Sequence, residues 1–482
     1  MKRTDADVAI SNDEINRQRQ YVMKIKDLNE KYFMETGRRK ACVIKTYGCQ
    51  MNAHDSEKLT ASLTDMGFKP AENEKEADLI LYNTCCIRDN AEKKIFGALG
   101  YLKHLKETKR SLKVVLCGCM MQQDIVLDEL RRNHPQVDVV FGTFNLHRFP
   151  QLLYTQMETG RPVYDIWQEH TDIYEELPII RENSVKASVN IMYGCDNYCS
   201  YCIVPYVRGR ERSRRPGDIL AEVRKLAAEG TAEIMLLGQN VNSYGKGLEA
   251  EISFGKLLRL INDEDLEGLK RIRFMTSHPK DLSEELIDAM ADCGKVCRHL
   301  HLPFQAGSDY ILDKMNRKYT KDQYISLAER IKNKLPGIAL TTDIIVGFPG
   351  EREEDFKDTL DVVEKVGFAS AFTFIYSPRT GTAAAKMEDK VGPDVAKERF
   401  NRLVEAVDRK AYEYYSAQKG KILTVLVDEV KGDKLRGRAD NNCLVHFNAE
   451  ETAAAPMLGK LVPVMITECK AHYLIGTVDY MK

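Results

Sequence analysis

A strand–helix rhythm constrains this chain more than any other feature. From Ala41 onward, short apolar runs alternate with longer amphipathic ones. The runs Cys42–Thr46, Ala77–Tyr82, Lys113–Leu116 and Val137–Phe141 read as strands. Between them Asp55–Met66, Arg88–Leu105 and Gln123–Arg132 read as helices. Strands that recur with a helix in each gap pair in parallel, so this part is expected to be a doubly wound α/β domain. The polar, mixed stretch Gln156–Lys186 reads as a linker.

The rhythm then restarts. Strands are expected at Ala187–Met192, Glu233–Leu237, Arg271–Met275, Arg298–Pro303, Ala339–Val346 and Ala371–Tyr376. Ile219–Ala228, Glu284–Ala291, Lys321–Lys334 and Glu353–Lys365 are the helices between them. Six such units suit an open sheet or six-eighths of a parallel barrel. After a helix near Val395–Ser416 come only short β-rich runs, Lys421–Asp428, Leu444–Phe447, Leu461–Glu468 and Leu474–Val478, with a turn at Lys431–Gly432–Asp433. They predict a small β barrel. The chain is thus an α/β multidomain protein. Its expected divisions are an N-terminal extension (1–40), the doubly wound domain (41–160), a linker (161–184), the six-unit domain (185–415) and the barrel (416–482). The extension mixes charges of both signs (Arg17, Arg19, Lys24, Lys26, Asp27, Glu30, Lys31) and reads as a frayed or surface helix.

Composition matters at two points. Lys and Arg number 71 against 72 Asp and Glu, so a general coating of nucleic acid is excluded while a local basic patch is not. The 13 cysteines are an odd number behind a start, MKRTDADVAISNDE, that lacks an apolar export signal. A disulfide framework is therefore disfavoured and metal ligation favoured; a cytoplasmic protein with no membrane span is expected.

Cys195, Cys199 and Cys202 form a C-x3-C-x2-C set just past the first strand of the second series. Three thiolates on one tight loop suit a four-iron cube and leave one iron open to a small chelating molecule. Structural zinc wants a fourth Cys or His close by, and the loop has none. Cys49, Cys85 and Cys119 are farther apart, at intervals of 36 and 34 residues, each just beyond the end of a successive strand. Strand ends on one edge of such a sheet converge, so these thiols can hold a second cluster. Cys86 and Cys117 compete for that role. Cys42, Cys443, Cys469, Cys293 and Cys297 read as structural.

The triad spacing resembles the radical S-adenosylmethionine superfamily. There the open iron binds the cofactor's amino and carboxylate groups, and Tyr201 stands where that superfamily carries an aromatic beside the adenine; a packed loop residue is the alternative. The whole order resembles the methylthiotransferase family, with the last piece similar to its TRAM nucleic-acid-binding barrel. The stretches TYGCQMNAHDSE, NTCCIRDNAEKKIFG, GCDNYCSYCIVPYVRGRERSR, LLGQNVNSYG and HLHLPFQAGSD carry the likeness, over about residues 41–482. Gln50-Met51-Asn52 is similar to the branch that acts on N6-isopentenyladenosine in tRNA. The resemblance implies two 4Fe-4S clusters, one on Cys195, Cys199 and Cys202 and one on Cys49, Cys85 and Cys119. It also implies S-adenosylmethionine as both radical source and methyl donor. The expected activity is sulfur insertion at C2 of the modified adenine next to the anticodon, followed by methylation of that sulfur. Threonylcarbamoyl-adenosine tRNA as substrate, or a non-catalytic iron–sulfur RNA-binding protein, are the alternatives. tRNA and a reducing electron-donor protein are the expected partners of a monomer; the sulfur source stays open.

Other residues sit where barrel sites lie, at or past strand ends: Gln239, Asn240, Ser277, His278, His301, Gln305 and Asp343, all expected near the cofactor. In Arg298–Phe304 the alternation puts Leu300, Leu302 and Phe304 on one face and His299, His301 and Pro303 on the other. The apolar face should meet the helices and the histidines the lumen, as ligand contacts or as a hydrogen-bonded core pair. Two basic runs are candidates for RNA phosphate: Arg208, Arg210, Arg212, Arg214 and Arg215, directly after the triad, and Lys434, Arg436 and Arg438 in the barrel.

Overall fold

The computed structural model describes residues 11–86, 89–167, 173–174, 178–181, 184–249 and 251–479. The four expected N-terminal strands are present as Ala41–Thr46, Leu79–Thr84, Lys113–Gly118 and Val139–Phe141, all parallel. Every residue of Leu79–Thr84 is buried, as a central parallel strand covered on both faces requires. Its alternation divides two cores, with Ile80 and Tyr82 facing one layer of helices and Leu79 and Leu81 the other. The expected helix from Arg88 is Asp89–Thr108; Arg88 itself lies outside the described residues.

Three boundaries differ from expectation. The sheet gains edge strands Lys69–Pro70 and Val163–Asp165. The second lies inside the expected 161–184 linker: the helix Phe149–Thr159 ends at left-handed Gly160, and the chain turns back to pair Tyr164 with Val140. Three residues with an Asp at the end give no apolar run to read. The N-terminal extension is a docked helix, Asn12–Thr36, capped by Ser11 and closed by left-handed Gly37. Ile15 and Ile25 are buried. Gln18 Nε2 donates to Gln151 Oε1 at 3.0 Å and Asn29 Nδ2 to Met66 O at 2.9 Å.

The second series forms six parallel strands, Lys186–Asn190, Glu233–Leu237, Arg271–Phe274, His299–His301, Ala339–Val346 and Ser370–Ile375. They make two three-stranded halves in chain order, joined by a parallel bridge between Ile272 and Val296. This is the open six-unit barrel. Leu300, Leu302 and Phe304 pack with the helices as the alternation predicts. His299 Nε2 and His301 Nδ1 both lie 3.1 Å from Thr341 Oγ1.

The helix Pro393–Ser416 leads to a closed five-stranded barrel: Ile422–Lys431, Lys434–Ala439, Leu444–Asn448, Leu461–Cys469 and Leu474–Val478. The unexpected strand is the basic run itself. Leu435, Gly437 and Ala439 face in while Lys434 and Arg436 face out, and the small inward residues Gly437 and Ala439 hid the alternation. The barrel docks on the N-terminal ends of the parallel strands. Arg271 donates to Arg438 O (2.6 Å) and Thr424 O (2.7 Å), and Arg273 to Ala439 O (2.8 Å) and Asp440 O (3.1 Å). Arg273 also pairs with Glu233 at 2.8 Å, both buried. Among the described residues no helix is long and apolar enough to cross a membrane.

Removing one partner of such a buried pair leaves the other uncompensated. Arg273→Met is expected to lower stability by about 3–5 kcal/mol in urea unfolding, whereas exposed Lys434→Gln changes it little.

Candidate active site

The three strand-end thiols of the N-terminal sheet lie along one edge of it. Cys49 is the N-cap of helix Gln50–Asp65, Cys85 follows Leu79–Thr84, and Cys119 opens the turn after Lys113–Gly118. Two glycines permit the approach. Gly48 has φ +122° and an added Cβ would lie 2.3 Å from Cys85 Cβ; Gly118 has φ +97° and its Cβ would lie 2.3 Å from Thr84 O.

Asn52 sits at the centre. Its Nδ2 donates to Tyr47 O (3.1 Å) and Thr84 O (2.9 Å), fixing Oδ1 at 3.9 Å from Cys49 Sγ and 3.8 Å from Cys119 Sγ. Arg208 enters from the other domain. It donates through Nε to Cys119 Sγ (3.1 Å) and through Nη2 to Asn52 Oδ1 (2.7 Å) and Asp55 Oδ2 (3.0 Å).

The thiols respond to these neighbours. A hydrogen bond with Cys85, then the Arg208 charge, holds the Cys49 thiol below its ordinary range. A bond with Cys86, then Arg208, does the same for Cys119, and Cys86 is pushed up in turn. Burial pushes Cys117 up; it packs with Leu79, Leu81 and Phe141 on the far face of the sheet. Of the two competitors, Cys117 points away from the edge and Cys86 stands at it.

The second thiol set lies on a loop clamped from several sides. Cys195 N donates to Gly209 O at 3.1 Å, and Tyr198 takes φ 46°. Ser200 Oγ donates to Lys314 O at 2.7 Å and Asn316 Nδ2 to Tyr198 O at 2.9 Å. Burial pushes Cys195 and Cys202 up to about 12. Buried Arg317, which no spacing in the sequence signals, reaches Cys199 Sγ through Nη1 at 3.6 Å and donates through Nη2 to Pro303 O at 2.6 Å. Tyr201 packs against the core cluster that contains Ala306, Ile311 and Phe348.

Among the described residues no three His, Cys, Asp or Glu side chains close on a single ion. A cube instead spreads its thiolates over separate irons, and sulfur-only sets of three suit that chemistry.

The barrel's strand ends divide into spent and unspent groups. Asn240 is a brace: Nδ2 donates to Asp281 Oδ2 (2.7 Å) and Oδ1 accepts from His278 N (3.1 Å). Burial, then Arg317, pushes His278 down to about 2, so its ring is neutral, and Nδ1 accepts from Lys280 N at 3.2 Å. Gln305 has φ 68° and bridges Asp343 O and Ile345 N through its backbone. His301 Nε2 lies 3.5 Å from Asp343 Oδ2. Gln239 Oε1 and Ser277 Oγ are buried without a hydrogen-bond partner, while Gln239 Nε2 touches Met51 of the N-terminal domain.

The arginine run does not form one basic face, which corrects the expectation for two of its members. Arg208 is 5% exposed and committed to the strand-end thiols. Arg214 is 6% exposed and donates to Asn190 O and to Glu222 Oε2 at 2.8 Å. Arg212 lies over the rings of Phe144 and Tyr193. Arg210 is exposed and Arg215 half-buried. In the barrel Lys434 is exposed, exposed Arg436 pairs with Glu429, and Arg438 Nη1 donates to Asn442 O at 2.9 Å.

Comparison with known proteins agrees with this architecture. Residues 189–363 match the Radical SAM superfamily and residues 41–142 the Uncharacterized protein family UPF0004. The chain is 53% identical to the tRNA-2-methylthio-N(6)-dimethylallyladenosine synthase of Acetivibrio thermocellus over 98% of each chain. It is 52% identical to that of Clostridioides difficile, over 97% of this chain and 98% of the relative. Among solved structures, the radical S-adenosylmethionine methyltransferase TsrM from Kitasatospora setae shares the fold at TM-score 0.52 and 16% identity, covering 72% of this chain and 77% of its own.

The thiol environments are separable by chemistry. Cys49, Cys195 and Cys202 are all half-buried, so thiolate character decides their reactivity. In metal-free protein at neutral pH, pulsed iodoacetamide is expected to label Cys49 well before Cys195 and Cys202. Mass spectrometry reads the order, and labelling of the latter pair should rise only in strong alkali.

Proposed function

Because the chain belongs to the family of the tRNA-2-methylthio-N(6)-dimethylallyladenosine synthases, we propose that its two thiol sets serve one radical methylthiotransferase site. The enzyme converts N6-isopentenyladenosine next to the anticodon of tRNA to the 2-methylthio form. Cys195, Cys199 and Cys202 hold the S-adenosylmethionine-binding cluster, and Cys49, Cys85 and Cys119 hold the second. Held there, the first cluster would supply the electron for reductive cleavage of S-adenosylmethionine, and the second would supply the sulfur for C2.

One observation carries the reading. The helix Val204–Arg208 begins two residues after Cys202, spans about 8 Å, and ends with Arg208 on Cys119. Such a short rigid step keeps the two sites within reach of a single adenine. Choosing Cys85 over Cys86 rests on Cys85 facing Cys49, whereas Cys86 faces Cys119 and the apolar core. Gln239 and Ser277, with buried unpartnered oxygens at the mouth of the barrel, orient the cofactor or the base edge. Tyr201 flanks the adenine of the cofactor, and His301, Asp343 and Gln305 line the same lumen. Neutral His278 and Asn240 hold the loop geometry around them. Exposed Arg210, with Arg215, Lys434 and Arg436, meets tRNA phosphates, and a reducing protein supplies electrons.

The roles of the two sets can be separated. Reconstituted wild type should hold about eight irons per chain. Cys49→Ala, Cys85→Ala or Cys119→Ala should still form 5′-deoxyadenosine but yield no methylthio nucleoside by mass spectrometry. Cys117→Ala, with its side chain across the sheet, should keep both. Loss of product with Cys117→Ala and retention with Cys119→Ala would falsify the ligand assignment. For RNA, Arg210→Gln with Lys434→Gln should reduce the log–log salt slope of tRNA binding by roughly one unit for each phosphate no longer neutralised. A slope equal to wild type would return both to the solvated surface.

A further inference from the structure

Among the described residues, Arg208 is the one that leaves the loop carrying Cys195, Cys199 and Cys202 (the radical loop) and donates a hydrogen bond to a thiol of the other set. Its guanidinium is buried, and it meets Cys119 Sγ, Asn52 Oδ1 and Asp55 Oδ2. Asp55 is the carboxylate facing it, 6% exposed. Burying a guanidinium is costly unless it meets charge or acceptors. A single carboxylate balances one positive charge, and the Nε–H is then spent on sulfur, not on a backbone carbonyl.

We propose that Arg208 is a positioning residue for the second cluster. It donates a charge-assisted hydrogen bond to a ligand sulfur, sets the cluster's charge balance jointly with Asp55, and ties that balance to the docked state of the radical loop. The inference rests on the reading that Cys119 ligates the second cluster, and goes beyond it by giving the cluster's potential an identified protein lever. Hydrogen bonds to ligand sulfur and nearby net charge are the terms that move iron–sulfur potentials. A cation donating to sulfur favours the more negative, reduced state and so raises the potential. The neighbouring carboxylate opposes it. Removing Arg208 and removing the Asp55 charge should therefore shift the potential in opposite directions, which a residue serving the fold alone would not do.

The test is an EPR-monitored redox titration of reconstituted full-length protein, together with iron counts. The signal followed is that of the second cluster in the Cys195/Cys199/Cys202 alanine background, where no coupling to the first cluster distorts it. Arg208→Gln should move its midpoint to more negative potential, Asp55→Asn to more positive potential, and Arg208→Lys should lie between Arg208→Gln and the background alone. Loss of that cluster's iron in Arg208→Gln but not in Arg208→Lys also supports the proposal, since the cation is then what the site needs. Unshifted midpoints with full iron overturn it, as do shifts of one sign in Arg208→Gln and Asp55→Asn. Loss of iron in all three variants overturns it too, because Arg208 would then serve the fold alone. A Cys195/Cys199/Cys202 alanine background without that signal contradicts the two-cluster reading instead, and is recognised before Arg208 or Asp55 is changed.

Discussion

The structure turns on the insertion of one short segment, residues 203–208, into the domain that precedes it. Ile203 and Val207 are buried in the same cluster as Met120, Val126 and Cys119, so the radical loop completes the N-terminal core. Burying two such side chains contributes about 1.5–3 kcal/mol each. Thr143 Oγ1 donates to Val207 O at 2.8 Å, and Gly209, at φ +73°, lets the chain leave beside the Phe144 ring. This apolar seat offsets the cost of carrying Arg208 out of water and fixes where its guanidinium points. Without the seat, Cys119 and the triad loop would belong to separate bodies.

Two parallel assemblies thereby meet at their working ends. In each, backbone and side chains at the C-terminal ends of strands are free to converge on a ligand, while the opposite ends are free to be braced. Gln239 at one strand end touches Met51 beside Cys49. At the opposite ends, Lys186, Glu233 and Arg271, the first residues of three neighbouring strands, engage the small barrel directly or through Arg273. The polarity of the parallel strands thus separates chemistry from support. It also explains why Arg271 and Arg273 are tolerated inside the six-strand domain: the barrel's backbone carbonyls accept their hydrogen bonds.

Periodicity made the strand–helix order legible, because buried parallel strands must be continuously apolar and their helices amphipathic. The triad was legible because three thiols in eight residues leave little else to do. The strand-end cysteines stood out through topology and the family resemblance together, and their close approach depends on Gly48 and Gly118, whose role appears once the strands are placed. Charge was the least readable feature. Arg208 and Arg210 stand two residues apart in one run, yet one is buried on sulfur and the other is exposed. Sequence spacing shows how many charges a segment has but not which face of it docks. Arg317 gave no signal at all, because its partner Cys199 is 118 residues away. The strand Lys434–Ala439 was hidden by Gly437 and Ala439, inward positions with almost no apolar side chain.

That the two thiol sets form one site can be tested without substrate. Reduced reconstituted protein should give an EPR spectrum in which the two clusters are magnetically coupled. Its shape and power saturation should then differ from the sum of the spectra of the Cys195/Cys199/Cys202 and Cys49/Cys85/Cys119 alanine variants. Replacing Val207 with Asp, which places a charge in the apolar seat, should weaken the coupling. A wild-type spectrum equal to the sum of the two variants would mean that the clusters are apart, and would contradict a shared site.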